Sequence, residues 1–179
     1  MNISATAIGA GRMPRKTRAW AIRLALALVV GMAFVVGSSE EAQAVSEAER
    51  FRFSSGLCIG EKSSTYVWSP NGGLYGQSVT RTYSGDCSTR ISKRADEVAG
   101  RAIIYKWSNY YRDWYECRDT GWDYNPDRTS MLVVYEWLGG YYDRVCGPGY
   151  YGTMSYGSVW HNGRWHTTPG VWSGSDYYY

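Results

Sequence analysis

Trp160-His161-Asn162-Gly163-Arg164-Trp165 sets Asn-Gly between two aromatic-bearing runs. Asn-Gly is the preferred two-residue hairpin turn, because both central positions need φ > 0 and these residues tolerate it. Counting outward from the turn, Trp160 opposes Trp165 and His161 opposes Arg164. Side chains alternate along a strand, so His161, Arg164 and His166 share one face and the two tryptophans the other. A hairpin of this kind predicts an antiparallel β protein, and the flanking chain repeats the message.

Y-x-W recurs at Tyr66-Val67-Trp68, Tyr105-Lys106-Trp107 and Tyr135-Glu136-Trp137. The last two extend upstream as Ile103-Ile104 and Val133-Val134. Each is followed by a turn, a tyrosine pair (Tyr110-Tyr111, Tyr141-Tyr142) and a cysteine (Cys117, Cys146). Tyr and Trp two apart point to one side of a strand. Lys106 and Glu136 mark the other side as wet, so the rings are expected to line the core. Ser69-Pro70-Asn71-Gly72-Gly73, Ser108-Asn109 and Leu138-Gly139-Gly140 supply turns. Residues 88–100, STRISKRADEVAG, break the pattern: Ser88 or Thr89 can cap a short helix and Gly100 can end it. The expected architecture is all-β, a small disulfide-bridged antiparallel β-sandwich or Greek-key barrel with one short helix near 88–100.

Upstream, residues 24–36 read LALALVVGMAFVV, preceded by Arg12, Arg15, Lys16, Arg18 and Arg23 and followed by Ala42-Gln43-Ala44. A basic region, a short apolar run and a small-residue cleavage site predict a secretory signal peptide over residues 1–44. The apolar run is too short for a confident membrane anchor. Met13 offers an alternative start that leaves the mature chain unchanged. Residues 45–57 are expected as a flexible arm, 58–174 as a single β domain and 175–179 as a mobile tail. Five of the nineteen basic and two of the sixteen acidic residues precede Val45, so the mature part holds fourteen of each. Without a basic block, nucleic-acid binding is not expected. Cys58, Cys87, Cys117 and Cys146 all follow the cleavage site, and an even number in an oxidising compartment predicts two disulfides. Of three possible pairings, Cys58–Cys87 and Cys117–Cys146 are favoured because each closes a local loop.

The repeat unit resembles the βγ-crystallin Greek-key motif of small secreted bacterial proteins. Tyr75-Gly76 suits its aromatic-glycine corner, and Asn125-Pro126-Asp127-Arg128-Thr129-Ser130 before MLVVYEW suits its polar stretch. The resemblance covers at most residues 64–146, and Pro126 departs from the pattern. It implies a Greek-key fold and calcium ligation by Asn125, Asp127 and Ser130. The residues read alone make Asn-Pro-Asp an ordinary turn.

Chemistry is sparse. His161 and His166 are the only histidines, and Arg164 between them opposes a cation. No G-x-S-x-G, phosphate loop or dinucleotide fingerprint occurs, and the paired cysteines leave no thiol nucleophile. No enzyme activity, metal or cofactor is expected. All seventeen tyrosines and eight of nine tryptophans lie in the mature part, against four leucines. Rigid aromatics among small residues suit recognition surfaces. The expected binding residues are Trp160, Trp165, Trp172, His161, Arg164, Tyr150 and Tyr151, with core and surface both open for the tryptophans. The leading expectation is a noncatalytic secreted module that binds a protein partner through aromatic loops or an edge strand, as an assembly subunit or a protease inhibitor. The alternatives are a glycan- or cell-wall-binding domain with a Trp/Tyr platform, and a crystallin-like toxin or calcium-stabilised domain.

Overall fold

Strict alternation along residues 57–67 organises the structure. Leu57, Ile59, Glu61, Ser63, Thr65 and Val67 point to one side of their strand, and Cys58, Gly60, Lys62, Ser64 and Tyr66 to the other. The first set meets a second sheet. The computed structural model describes residues 43–45, 48–68, 73–138 and 146–178. Its strands are β1 (Gln43–Val45), β2 (Glu49–Phe53), β3 (Leu57–Trp68), β4 (Gly73–Ser84), β5 (Val98–Ser108), β6 (Asp113–Asp119), β7 (Asp123–Tyr124), β8 (Met131–Leu138), β9 (Gly149–His161), β10 (Arg164–Thr167) and β11 (Val171–Tyr178).

Sheet I runs β3-β4-β8, with β2 and β1 pairing in succession along the free edge of β3. Sheet II runs β9-β5-β6, with β10 and β11 sharing the other edge of β9 and β7 continuing along β5. Every pairing is antiparallel. β3 and β4 of sheet I pack against β9 of sheet II, and β8 against β5, making a β-sandwich.

The space between the sheets has two apolar ends and a polar middle. Leu57, Ile59, Val98, Leu132, Val134 and Val159 fill one end. Val67, Leu74, Ile104, Leu138 and Tyr151 fill the other. Between them lie Glu61, Ser63, Thr65, Ser78, Thr80, Thr153, Ser155 and Ser173, all buried. Burying hydroxyls is tolerable only where they find partners. Ser63 Oγ donates to Thr153 O (2.8 Å), and Thr65 Oγ1 lies 2.7 Å from both Thr153 Oγ1 and Ser173 Oγ. Ser78 and Thr80 donate to the Glu61 carboxyl at 2.7 and 2.8 Å. Burial pushes that carboxyl up from 4.5 to about 7, against the opposing hydrogen bonds from Ser78 and Thr80 and the charge of Arg81. The sheets approach so closely here that a Cβ on Gly76 would lie 2.5 Å from Thr153 Oγ1, and one on Gly157 2.4 Å from Glu61 Oε2.

Both favoured disulfides form: Cys58–Cys87 with Cα atoms 5.3 Å apart, and Cys117–Cys146 at 6.2 Å. Where β6 pairs β5 the register shifts at Cys117, and this extra residue packs against the Ile104–Tyr151 end of the core.

The structure corrects four expectations. Residues 88–100 form no helix. Cys87 and Asp96 sit at φ 63° and 60°, outside any α-helix. The segment's donors go elsewhere: Ile91 N–H to Thr82 O and Lys93 N–H to Thr129 O, while Asp86 gathers Ser84 and Ser88. With Cys87 bonded to Cys58, the segment is held along the sheet edge, and β5 begins at Val98. Second, the expected arm contains β2, joined to β3 through a turn at Gly56 (φ 78°). Phe53 packs on the core, which holds the strand in place. Third, the expected tail belongs to β11: Ser175–Tyr178 pair with β9, and Tyr178 faces Tyr151. Fourth, the Y-x-W rings of β5 and β8 point outward while Lys106 and Glu136 take the inner parity. Tyr135 and Trp137 are 59% and 45% exposed. The small inner residues let the sheets close to a distance that rings would prevent. The expected leader through Glu41-Ala42, the turn at Ser69–Gly72, and Gly139, Gly140, Tyr141 and Tyr142 lie outside the described residues. Gln43–Val45 pairs with β3, so the expected cleavage after Ala44 falls within β1.

Candidate ligand-binding face

The outer face of sheet II is built from the residues that alternation sends away from the core. At one end the Asn162-Gly163 turn forms as expected, with φ 50° and 77°. Trp160 pairs with Trp165 across it, the rings 5.7 Å apart, and Tyr124 of β7 packs edge-on against Trp165 at 5.7 Å. These three are 37%, 39% and 44% exposed. At the other end Trp114, Trp107, Tyr150 and Tyr177 form one row across β6, β5, β9 and β11. Trp107 opposes Trp114 (5.5 Å) and Tyr150 opposes Tyr177 (4.9 Å). The register that pairs Lys106 with Tyr151 brings the two pairs side by side.

Trp172 roofs the interval behind this row. Its ring lies on β9 where Gly152 has no side chain, since a Cβ there would sit 2.2 Å from Trp172 Cζ2. A bulge between Trp172 and Ser175, with Gly174 at φ 81°, sets its aim. The ring contacts Trp114 (4.9 Å) and Tyr105 (6.1 Å). The middle of the face holds the Arg101–Asp119 ion pair, with Nε to Oδ1 at 2.9 Å. Hydrogen bonding to Arg101 holds the Asp119 carboxyl below its ordinary range.

Beyond the four-ring row, the β5–β6 hairpin rises to enclose a cleft of about 350 Å³. Trp107, Tyr110, Tyr115, Tyr150 and Tyr177 line it, with Lys106, Ser108 and Asn109 supplying polar groups. Ser108 also shapes the rim: its Oγ accepts from Tyr111 N–H (3.2 Å) and its carbonyl from Arg112 N–H (2.8 Å). Tyr110 and Tyr111 at the hairpin tip are 87% and 77% exposed.

Of the residues expected to bind, Trp160, Trp165 and Tyr150 stand on this face, and Trp172 is half-buried within it. Tyr151 is a correction. It is 2% exposed, points into the core, and donates its hydroxyl to Gly147 O, so it cannot meet a ligand. His161 and Arg164 lie on the opposite parity of the hairpin. His161 Nδ1 sits 3.0 Å from Lys93 Nζ, and burial together with the Lys93 charge holds the imidazole below its ordinary value. Arg164 is exposed. His166, on the same face of the hairpin, is buried against Phe53. Asn125 is also occupied: its Oδ1 accepts from Val98 N–H at 2.7 Å, and its Nδ2 donates to Arg94 O and Asp127 O. Tyr75-Gly76 lies inside β4 rather than at a corner. Among the described residues no three His, Cys, Asp or Glu side chains converge as a metal group.

Tyr105 and Trp107, expected in the core from the Y-x-W pattern, stand on this outer face together with Trp114, Tyr124 and Tyr177, which no motif marks. The available signal was the set of period-two small residues, Gly100-x-Ala102 in β5 and Thr153-x-Ser155-x-Gly157 in β9, which mark the close-packed face and assign the rings to the other. No protein-family model, curated protein or solved structure matches the chain.

Proposed function

We propose that this chain is a noncatalytic, exported interaction module that engages a macromolecular ligand through the outer face of sheet II. The observation that carries this is the location of the rings. Trp160, Trp165, Tyr124, Tyr150 and Tyr177 are 37–53% exposed on one sheet face, while aliphatic and small side chains close the core. Contiguous exposed apolar surface marks interaction sites, and Trp and Tyr dominate binding energetics. Two disulfides support an oxidising compartment. Three displaced acidities have structural causes: burial of Glu61 in the core, the Arg101 hydrogen bond to Asp119, and burial of His161 beside Lys93.

The test compares the oxidised protein with a Tyr150→Ser/Trp165→Ser double variant for retention on cell-envelope preparations, with melting curves run on both. The expected result is retention of the first and loss of the second at similar stability. Equal retention of both, or of neither, overturns the proposal.

A second reading is supported by β8. It pairs only with β4 among the described residues, and it carries exposed Met131, Tyr135 and Trp137. Such an edge can accept a strand from a protein partner. Capture of one stoichiometric protein that survives the double substitution on sheet II would identify this mode.

A further inference from the structure

We propose that the cleft between the β5–β6 hairpin and the paired ends of β9 and β11 holds a short stretch of neutral, β-linked glycan. Its sugar rings stack on Trp107, Tyr150 and Tyr177 with Tyr110 of the hairpin closing against them, and its hydroxyls meet Ser108, Asn109 and the hairpin backbone. This rests on the reading of sheet II as the binding face and names its ligand.

Three observations point to a sugar. The first is spacing. Trp107 and Tyr177 stand in one row two strands apart, roughly 9–10 Å at the usual strand separation. That is close to the repeat length of an extended β-linked disaccharide, so alternate sugars along one chain can each meet a ring. The second is chemistry. A pyranose in equatorial form presents a flat patch of C–H bonds bearing partial positive charge, and this is what the negative face of an aromatic ring attracts. Its rim is hydroxyl, needing donors and acceptors at the edge of the platform rather than beneath it. The cleft has that arrangement, with rings as its walls and the Asn109 amide and Ser108 hydroxyl at its margin. The third is charge and size. The part of the chain after residue 44 carries equal numbers of basic and acidic residues, and Lys106, the one cation lining the cleft among the described residues, donates to Cys146 O. Nothing here favours a polyanion. A volume of about 350 Å³ falls at the small-ligand end of binding sites, which span roughly 300–1,000 Å³.

Cellotetraose and chitotetraose are the probes, titrated calorimetrically into the oxidised protein and into Tyr150→Ala, Tyr110→Ala and Arg128→Ala. Arg128 is exposed in the turn before β8 and away from the cleft. At least one tetrasaccharide is expected to bind. Each tyrosine variant is expected to weaken it roughly three- to tenfold, as loss of one stacked ring implies. The melting temperature and the Arg128→Ala affinity should not move. Both tyrosines are largely exposed, so folding is not at risk. Binding of neither sugar overturns the proposal, as does binding that both tyrosine variants leave intact. If the envelope-retention test still succeeds while both sugars fail, the face binds a protein and only the glycan assignment falls. If retention fails as well, the binding-face reading falls with it.

Discussion

Ile103-Ile104-Tyr105-Lys106-Trp107 and Val133-Val134-Tyr135-Glu136-Trp137 are near copies in sequence and different objects in space. Both send Tyr and Trp outward. In β5 the rings are half-buried, because β6 lays Trp114 against them and β11, beyond β9, lays Trp172 against them. In β8, paired on one side only among the described residues, Tyr135 and Trp137 stand in the open, and Tyr75 tilts against Trp137 at 4.9 Å. Parity along a strand is local, but burial is conferred by neighbouring strands. Sheet II therefore carries an assembled aromatic surface, whereas sheet I carries a short row formed by Tyr66, Tyr75 and Trp137.

Breaking each sheet's own covalent tie has the largest expected effect. Both bridges span 29 residues, and for such loops the chain-entropy model gives each about 3.5 kcal/mol. Cys58 and Cys87 are buried beneath Arg50 and Tyr83 on sheet I, while Cys117 and Cys146 are half-buried. Cys58→Ser should therefore cost more than Cys117→Ser by denaturant titration, because it also leaves a buried hydroxyl unpaired. The reverse order would show that the sheet II bridge carries tertiary contacts the comparison assigns to sheet I.

Glu61 belongs to the seam the two sheets share, so perturbing it should affect both alike. Its folded carboxyl titrates near pH 7 against an ordinary 4.5. Between those values the folded protein binds the extra proton. Its stability is fully present below about pH 4.5 and is lost as pH rises through 7, by about 3 kcal/mol. Glu61→Gln should flatten this slope, and chemical denaturation at pH 5 and pH 8 measures it. A wild-type slope of the opposite sign would mean that the carboxylate is ionised in the sandwich.

Much of this was legible and some was not, for identifiable reasons. Turn chemistry at Asn162-Gly163 is local, and it fixed the Trp160–Trp165 pairing. Cysteine count and loop closure favoured the correct bridges. Charges at Lys106 and Glu136 point to a solvated face by pattern alone, yet both take the inner parity: Lys106 reaches the Cys146 carbonyl and Glu136 sits on β8, an outer strand of its sheet. β2 and the bulge at Cys117 belong to local hairpins, β2–β3 and β5–β6, whose turns carry no Asn-Gly signature, whereas β11 is ordered by pairing with β9 across the intervening β10. The cleft shares that origin: its walls come from β5, β6, β9 and β11.

The smallest effect separates the two aromatic faces most directly. Trp172→Ala removes a half-buried ring seated over Gly152 and packed on Trp114 and Tyr105. Full burial would put the loss at roughly 3–5 kcal/mol. Because the ring is partly exposed rather than enclosed, about 2–3 kcal/mol is expected. Tyr135→Ala on sheet I removes a ring 59% exposed, and surface substitutions of that kind stay within about 0.5 kcal/mol. Thermal melts of the two single variants and the double variant should be additive, since the residues lie on opposite outer faces and share no contact. An equal cost for both would mean that sheet I's outer face is also covered, by a segment or partner that packs on Tyr135. The near-copies would then differ in their coverings rather than in their exposure.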